Sequence, residues 1–532
     1  MLLPFLSEDQ KPSKKYTISF KGLNYGEGTQ DGEFADTYNL STDEFPCITQ
    51  RAERVNVKQY NNPYSIHAKG QLLVIDEILD DEGKATGKAN VYYGDSTEPL
   101  GTVTSGKKQT ATVGNYIIIF PDKKYYKVPT KDENGVTQEG KFGDMEEVYT
   151  ATGLEFTETS IKTTNSDFPF KKGDAVTITG CSKTENNKTE EMIIRSATAS
   201  EITFQSSTFT KIATEANEVT IKRSVPDLDF ICENNYRLWG VSANKNTIYS
   251  SKFSDPLNFK SFDGIADDSY AIEVGSEGAF TGCIAYSSHI CFFKENTLHK
   301  LYGTKPSNFQ VTTSSVYGVQ NGSEKSMQIV NEELLYKGVG GIYAYTGGVP
   351  ELISEKFGTE RYSDAVACCD GEKYYISMRQ GDTWSMFSYD VAKRIWLRED
   401  DTQAVDMTFY EGKVHFLDSR GGLYYIDKTA DRSNIEWGAT FCTMHETMNE
   451  RKGYSKFHLR MDLSAGAWLA VDVKTDNDTQ WRQVYTTHNA KAKTVSIPIM
   501  PTRCDSIDIR LRGKGKCTIK TFVREFTVGS DV

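Results

Sequence analysis

His289-Ile-Cys-Phe-Phe293, a polar turn, then Leu298-His-Lys-Leu-Tyr302 is the stretch whose reading decides the fold. Two short apolar and aromatic runs bounded by turn residues read as paired strands, because helices need longer runs and a different period. Six further copies of the unit stand elsewhere in the chain. They are Gly70-Gln-Leu-Leu-Val-Ile75 with Val91-Tyr-Tyr93, Gly114-Asn-Tyr-Ile-Ile-Ile-Phe120 with Tyr125-Tyr126, and Arg237-Leu-Trp239 with Thr247-Ile-Tyr249. The later ones are Glu333-Leu-Leu-Tyr336 with Gly341-Ile-Tyr-Ala-Tyr345, Lys373-Tyr-Tyr-Ile376 with Met386-Phe-Ser-Tyr389, and Lys413-Val-His-Phe416 with Leu423-Tyr-Tyr-Ile426.

The first apolar residues of the seven copies, at 72, 116, 238, 290, 334, 374 and 414, lie 44, 122, 52, 44, 40 and 40 residues apart. Five of the six gaps match the roughly 40 to 50 residue period of a four-stranded propeller blade. The long gap falls to about 42 if about 80 residues form an inserted module. That insertion has its own strand signals in Phe170-Lys-Lys-Gly-Asp-Ala-Val-Thr-Ile178, Met192-Ile-Ile194 and Ile202-Thr-Phe204. After the last copy the pattern changes to strict alternation, at Phe457, Leu459 and Met461, at Leu469, Val471 and Val473, and at Ile507, Ile509 and Leu511. Alternation of this kind marks strands with one buried face.

The expected fold class is therefore all-β: a β-propeller of about seven blades with an inserted small β-barrel-like module and a C-terminal β-sandwich. The expected boundaries are residues 1–141 for N-terminal strands and first blades and 142–224 for the inserted module. Residues 225–430 hold the remaining blades, and 431–532 the sandwich. A strand from residues 17–59 is expected to help close the propeller.

Composition limits the function. The chain has 532 residues, 73 acidic and 61 basic, for a net charge of −12. Tight global binding of nucleic acid needs clustered cations, so that balance opposes it. The longest strongly apolar run, Tyr116–Phe120, is far short of the roughly 20 residues that cross a bilayer, and no membrane insertion is expected. The opening Met1-Leu-Leu-Pro-Phe-Leu6 lacks a basic leader, so synthesis in a cytoplasm is expected. Ten cysteines without a CxxC read as reduced and mostly buried rather than as a disulfide framework.

No chemical motif rises above its structural reading. Cys442-Thr-Met-His445 lacks the second ligand pair of a zinc site. Asp80-Asp-Glu82 and Asp476-Asn-Asp478 lack the glycine and distant glutamate of an EF-hand and read as solvated turns. Gly338-Val-Gly-Gly-Ile-Tyr343 lies between two strands and reads as a hairpin turn rather than a phosphate loop. No catalytic, cofactor-binding or metal-ligating residue is assigned, and a Ser-His-Asp triad is invisible at this level because its members need not be adjacent. The tail carries Arg503, Arg510, Arg512, Lys514, Lys516, Lys520 and Arg524. These form either a surface for phosphate or an acidic partner, or a sheet edge blunted by charge, the preferred reading.

Four strings, Thr37-Tyr-Asn-Leu-Ser-Thr-Asp-Glu-Phe-Pro-Cys47, Asn246-Thr-Ile-Tyr-Ser-Ser-Lys-Phe-Ser-Asp-Pro-Leu-Asn-Phe259, Gly340-Gly-Ile-Tyr-Ala-Tyr-Thr-Gly-Gly348 and Pro501-Thr-Arg-Cys-Asp505, carry a resemblance. They resemble the packaged-DNA stabilisation and tail nozzle or hub proteins of short-tailed bacteriophages, loosely over residues 17–430. The resemblance implies a virion structural protein, not an enzyme and without cofactors. Such proteins form a homo-oligomeric ring, typically of six copies, below the portal and adaptor, which retains packaged double-stranded DNA and forms the channel for genome ejection. An acidic chain suits a channel, since carboxylates repel phosphate where cations would hold it. The alternative is a host-surface or glycan-binding tail protein that uses aromatics such as Trp468 and Trp481.

Overall fold

The computed structural model describes residues 12–26, 29–131, 135–164, 167–205, 208–441, 451–476, 478–491, 493–500 and 502–528. The chain is all-β, its only helices being four short 3₁₀ turns among the described residues. None of them is long and apolar enough to cross a membrane. Two compact units divide it: Tyr60–Met327, and Met1–Gln59 together with Gln328–Val532.

The first unit holds four four-stranded antiparallel sheets in chain order. The first sheet spans Pro63–Thr104, the second Gln109–Asp144, the third Phe230–Glu273 and the fourth Phe280–Ser315. Tyr116–Phe120, Arg237–Val241 and His289–Lys294 are buried almost throughout because both faces are covered. In Tyr116–Phe120, Ile117 and Ile119 pack against Leu73, Ile75 and Val91 of the first sheet. The intervening Ile118 and Phe120 pack against Ile231 and Leu238 of the third. Trp239, Val241 and Ile248 of the third then meet Phe280, Ile290 and Phe292 of the fourth. The second and third sheets are thus each the wall of two cores, a serial burial that neither could achieve alone.

Between the second and third sheets lies the insertion. Its strands, in hydrogen-bonded order, are Glu147–Ala151, Val219–Arg223, Ala175–Thr179, Lys188–Ala197, Glu201–Phe204, Ser160–Lys162 and Glu155–Phe156. That is seven strands where the sequence shows three apolar runs; two of them, Glu155–Phe156 and Ser160–Lys162, are only two and three residues long. One core, with Tyr149, Phe156, Val176, Ile194, Phe204 and Ile221 among its members, serves the whole module.

The second unit repeats the serial pattern in a fifth sheet (Gln328–Leu352), a sixth (Ser363–Asp400) and a seventh, Ala404–Ile426 completed by Arg54–Gln59. Leu335 and Ile342 pack on Tyr374, Ile376 and Phe387, and Tyr375 and Met386 on Val414 and Phe416. The unit ends in two sheets enclosing a single core. One is centred on Lys452–Leu463 and Cys517–Val528, the other on Glu436–Phe441, Ile507–Lys514 and Trp468–Thr475.

Residues 431–532, expected to form this sandwich alone, do not. Ser13–Thr17, Leu40–Ser41 and Ile48–Gln50 join the first of its sheets, and Gly22–Leu23 and Glu33–Tyr38 the second. The segment 17–59 therefore divides, most of it in the sandwich and only Arg54–Gln59 in the seventh sheet. The reason is aromatic burial. Phe34 is fully buried, stacked on Phe20 at 5.9 Å and 5.1 Å from the Phe441 ring, and Phe441 in turn stacks on Phe522 at 5.3 Å. Without the amino-terminal strands those rings would face water.

Phe34→Ala should therefore destabilise the terminal sandwich by about 3 to 5 kcal/mol, the usual cost of emptying a buried aromatic site. Faster amide exchange across Cys517–Val528, on the opposite end of the chain, would be the readout. Unchanged exchange there would show that the amino-terminal strands contribute nothing to the core.

Candidate interaction surfaces

The Asn246–Phe259 string contains the third strand of the third sheet, Thr247–Ser250, and turns back as a loop that runs to Ser269. Asp255-Pro256 makes the turn: the Asp255 carboxylate accepts from Leu257 N at 3.3 Å, and Lys252 N donates to Asn258 O at 2.7 Å. Arg237, 1% exposed, holds the loop from below. Its Nη1 donates to the carbonyls of Ser251 (2.8 Å) and Asp268 (2.7 Å) and its Nη2 to that of Ala266 (2.8 Å). Burial lowers the Arg237 pKa, and Asp267 and Asp268 act against that.

The same loop is the socket of the inserted module. Asp174, fully buried, accepts from Asn258 Nδ2 at 2.8 Å on one oxygen and from Arg223 Nη1 and Lys171 N, both at 2.9 Å, on the other. Ala175 N donates to Lys260 O at 2.8 Å and Phe262 N to Gly173 O at 2.7 Å. Gly173 has φ +88°, and a Cβ there would lie 3.0 Å from Asp263 Cβ, so the close approach favours glycine. Lys172–Asp263 at 2.9 Å and Lys260–Glu191 at 2.8 Å complete the joint at its edge. On the outside of this loop Tyr236, Phe253 and Ile265 are 61%, 41% and 49% exposed, with the Tyr236 and Phe253 rings edge-on at 6.1 Å.

The basic tail is not one patch. Arg524 is buried and paired with Asp31 at 2.7 Å, and Lys520 pairs with Asp462. Arg503 is exposed on its own short strand, and Lys516 lines a cleft of about 750 Å³ between Lys428–Asn434 and the Ser464–Ala467 turn. Arg510 and Arg512 converge on Asp472, at 2.8 and 2.7 Å. Burial raises the Asp472 pKa, but the hydrogen bonds from Arg512 and Arg510 outweigh it and hold the carboxyl below its ordinary range. Lys514 stands on the same strand, opposite Trp468 and Glu436. Cations cover the two tryptophans considered for sugar binding: Arg510 lies 4.5 Å and Lys474 5.3 Å from the Trp481 ring centre, and Arg512 5.7 Å from that of Trp468. A sugar stacking on those faces would have to displace them.

Other sequence candidates resolve into local structure. Asp80 Oδ1 accepts from Glu82 N and Lys84 N, ordinary turn bonds, and Asp476 Oδ1 from Asp505 N and Ser506 N, a tie to a distant segment of the chain. Among the described residues no group of three or more His, Cys, Asp or Glu could hold a metal ion, and Cys442-Thr-Met-His445 lies outside them. Nine cysteines are described, all free and seven of them buried. The Gly338–Gly341 turn walls a cavity of about 230 Å³ beside Lys337, whose pKa burial, with Arg361 nearby, pushes down to about 8. One row escaped sequence reading: Ser496 Oγ lies 2.9 Å from His458 Nδ1, and Glu525 Oε2 3.2 Å from His458 Nε2. The three residues sit on adjacent strands of the sandwich, and only cross-strand register could have joined them.

No family model matches the chain, and no curated protein matches it. Several solved structures overlap parts of its trace. BamB from Moraxella catarrhalis, at 10% identity, covers 71% of this chain and 97% of its own with a TM-score of 0.33. Phage phi92 endosialidase, at 11% identity, covers 75% and 69% with a TM-score of 0.25. An exo-β-1,3-galactanase from Phanerochaete chrysosporium, at 8% identity, covers 55% and 94% with a TM-score of 0.22. Overlaps this loose carry nothing about activity.

Asp174→Asn should cost about 3 kcal/mol, since it leaves the Arg223 guanidinium buried without its counter-charge. The loss should appear as faster proteolysis within 147–223 with the neighbouring sheets protected, and equal protection in both proteins would show that the joint is not held by this pair. A second outcome concerns acid. His299 is 1% exposed, between Ser276 Oγ at 2.7 Å and Thr313 Oγ1 at 2.9 Å, and burial, with Lys294 nearby, pushes its pKa down to about 4. The unfolded chain takes up this proton at about pH 6.5, so the contribution is complete above that value. It is lost as pH falls towards 4, by about 3 kcal/mol at most. Melting curves across that window should be steeper for the native protein than for His299→Gln.

Proposed function

We propose that this chain is a structural protein of a tailed-bacteriophage particle, in which seven four-stranded sheets act as the blades of one propeller. The propeller carries the inserted β module and the terminal sandwich. Copies form a ring, six in the reading that the resemblance favours, below the portal and adaptor. The ring holds packaged DNA and conducts it at ejection.

The observation that carries this reading is the joint between the Asn246–Phe259 string and Asp174. The string on which the resemblance chiefly rests is the element that bolts the insertion to its sheet. A part that resists the pressure of a packed genome needs inserted modules held rigidly, and a buried charge pair with backbone bonds on both sides does that. Charge agrees. Arg510, Arg512, Lys520 and Arg524 are engaged by carboxylates of the same chain, leaving the acidic surplus of −12 for a surface that lets phosphate slide.

Electron microscopy of the purified protein should show closed rings with an axial channel wide enough for duplex DNA. Short duplexes should bind weakly even at low salt, because neutralised phosphates are the main source of such affinity. A protein that stays monomeric and attaches to host cells would defeat the reading.

A further inference from the structure

A cleft of about 540 Å³ opens in the second unit where the strand Glu33–Tyr38 meets the sixth sheet. Thr37 Oγ1 joins the two, accepting from Arg398 N at 2.8 Å and donating to Arg398 O at 3.0 Å. The volume lies within the roughly 300 to 1,000 Å³ of small-ligand pockets. Polar groups converge in it. Arg398 Nε and Nη2 donate to the two oxygens of Asp36 at 3.1 and 3.3 Å, and Nη1 donates to Asp401 Oδ1 at 2.8 Å, which leaves guanidinium N–H groups over. Gln380 Nε2 donates to Glu360. The Tyr25 and Tyr362 phenols stand close enough to act on each other. Burial, with Tyr362 and Asp36 beside it, pushes the Tyr25 pKa up, and burial, with Glu360 nearby, pushes that of Tyr362 up to about 12. Both phenols therefore keep their protons at neutral pH and serve as donors as well as acceptors. Trp384 also lines the cleft, partly exposed, and among the described residues no cation covers its ring, unlike those of Trp468 and Trp481.

We propose that this cleft binds a neutral saccharide, with the Trp384 indole against a sugar ring and Arg398, Asp36, Asp401 and Glu360 on its hydroxyls. A sugar has C–H faces that pack on an aromatic plane and hydroxyls that each donate and accept, so it needs an aromatic ring beside mixed donors and acceptors. The cleft supplies both. A phosphate or an acidic sugar is disfavoured, because among the lining residues the three carboxylates of Asp36, Glu360 and Asp401 stand against the one guanidinium of Arg398, a balance of −2. A cationic peptide fits less well, since Asp36 and Asp401 already answer Arg398, and Gln380 already donates to Glu360. What those carboxylates have left is lone pairs, which suit hydroxyl groups. The same internal bonds fix the side chains before a ligand arrives, which lowers the ordering cost of binding. One copy builds the whole cleft, so the inference is independent of the ring reading.

Saturation-transfer NMR of the purified protein with lactose, cellobiose, maltose and N,N′-diacetylchitobiose tests the site. At least one of them should bind saturably, with a Kd of about 1 mM, and sialyllactose should not. Trp384→Ala should weaken that binding about tenfold. Asp401→Asn, a change at a largely exposed side chain, should weaken it several-fold, with unchanged melting temperatures as the control for folding. Trp481→Ala should leave it as it is. Absence of saturable binding by all four sugars at about 50 mM overturns the proposal, as does binding that is lost in Trp481→Ala but kept in Trp384→Ala. If trilysine binds in place of the sugars and is lost in Asp401→Asn, the cleft takes a cationic peptide and the proposal fails.

Discussion

Burial on two faces is the constraint on which the rest of this structure depends. A strand such as Tyr116–Phe120 presents apolar side chains alternately to two different neighbours, so removing either neighbour uncovers half of it. Every inner sheet within a unit therefore needs the sheets before and after it. The loops between strands are freed from making core, which is why polar joints and exposed tips can be built there.

That arrangement explains how an insertion of some eighty residues is tolerated. The module has a core of its own and meets the rest of its unit through a polar seam around Asp174 and Asn258. A hydrophobic seam would have merged the two cores; a polar one fixes position while leaving each to fold on its own terms. The buried charge adds little net stability over an apolar contact of the same shape, and its value is in specifying one docking geometry.

Sequence legibility followed burial. Runs covered on both faces, such as Ile117–Phe120 or His289–Phe293, announced themselves, as did the single-faced alternation of Phe457, Leu459 and Met461. The amino-terminal strands did not. Glu33-Phe-Ala-Asp-Thr-Tyr38 mixes charges with one core ring, and the partner of that ring, Phe441, lies some four hundred residues away. The candidate surfaces were half legible. The Asn246–Phe259 string stood out, but its partner Asp174 is 84 residues distant and nothing local links the two. The basic tail looked like one patch because a strand list preserves order along the chain, whereas the pleat sends Arg524 inward to Asp31 and Arg510 and Arg512 outward to Asp472.

The interleaving of the two ends of the chain has a consequence for timing. Glu33–Tyr38 waits for Glu436–Phe441, and Ser13–Thr17 and Ile48–Gln50 wait for Cys517–Val528, so the sandwich cannot close until that strand has been synthesised. Contacts of such long sequence separation also close slowly. A chain cut before Cys517–Val528 can build its early sheets but lacks a central strand of this sandwich. The topology thus makes the pairing of two distant stretches of chain a condition of the finished sandwich.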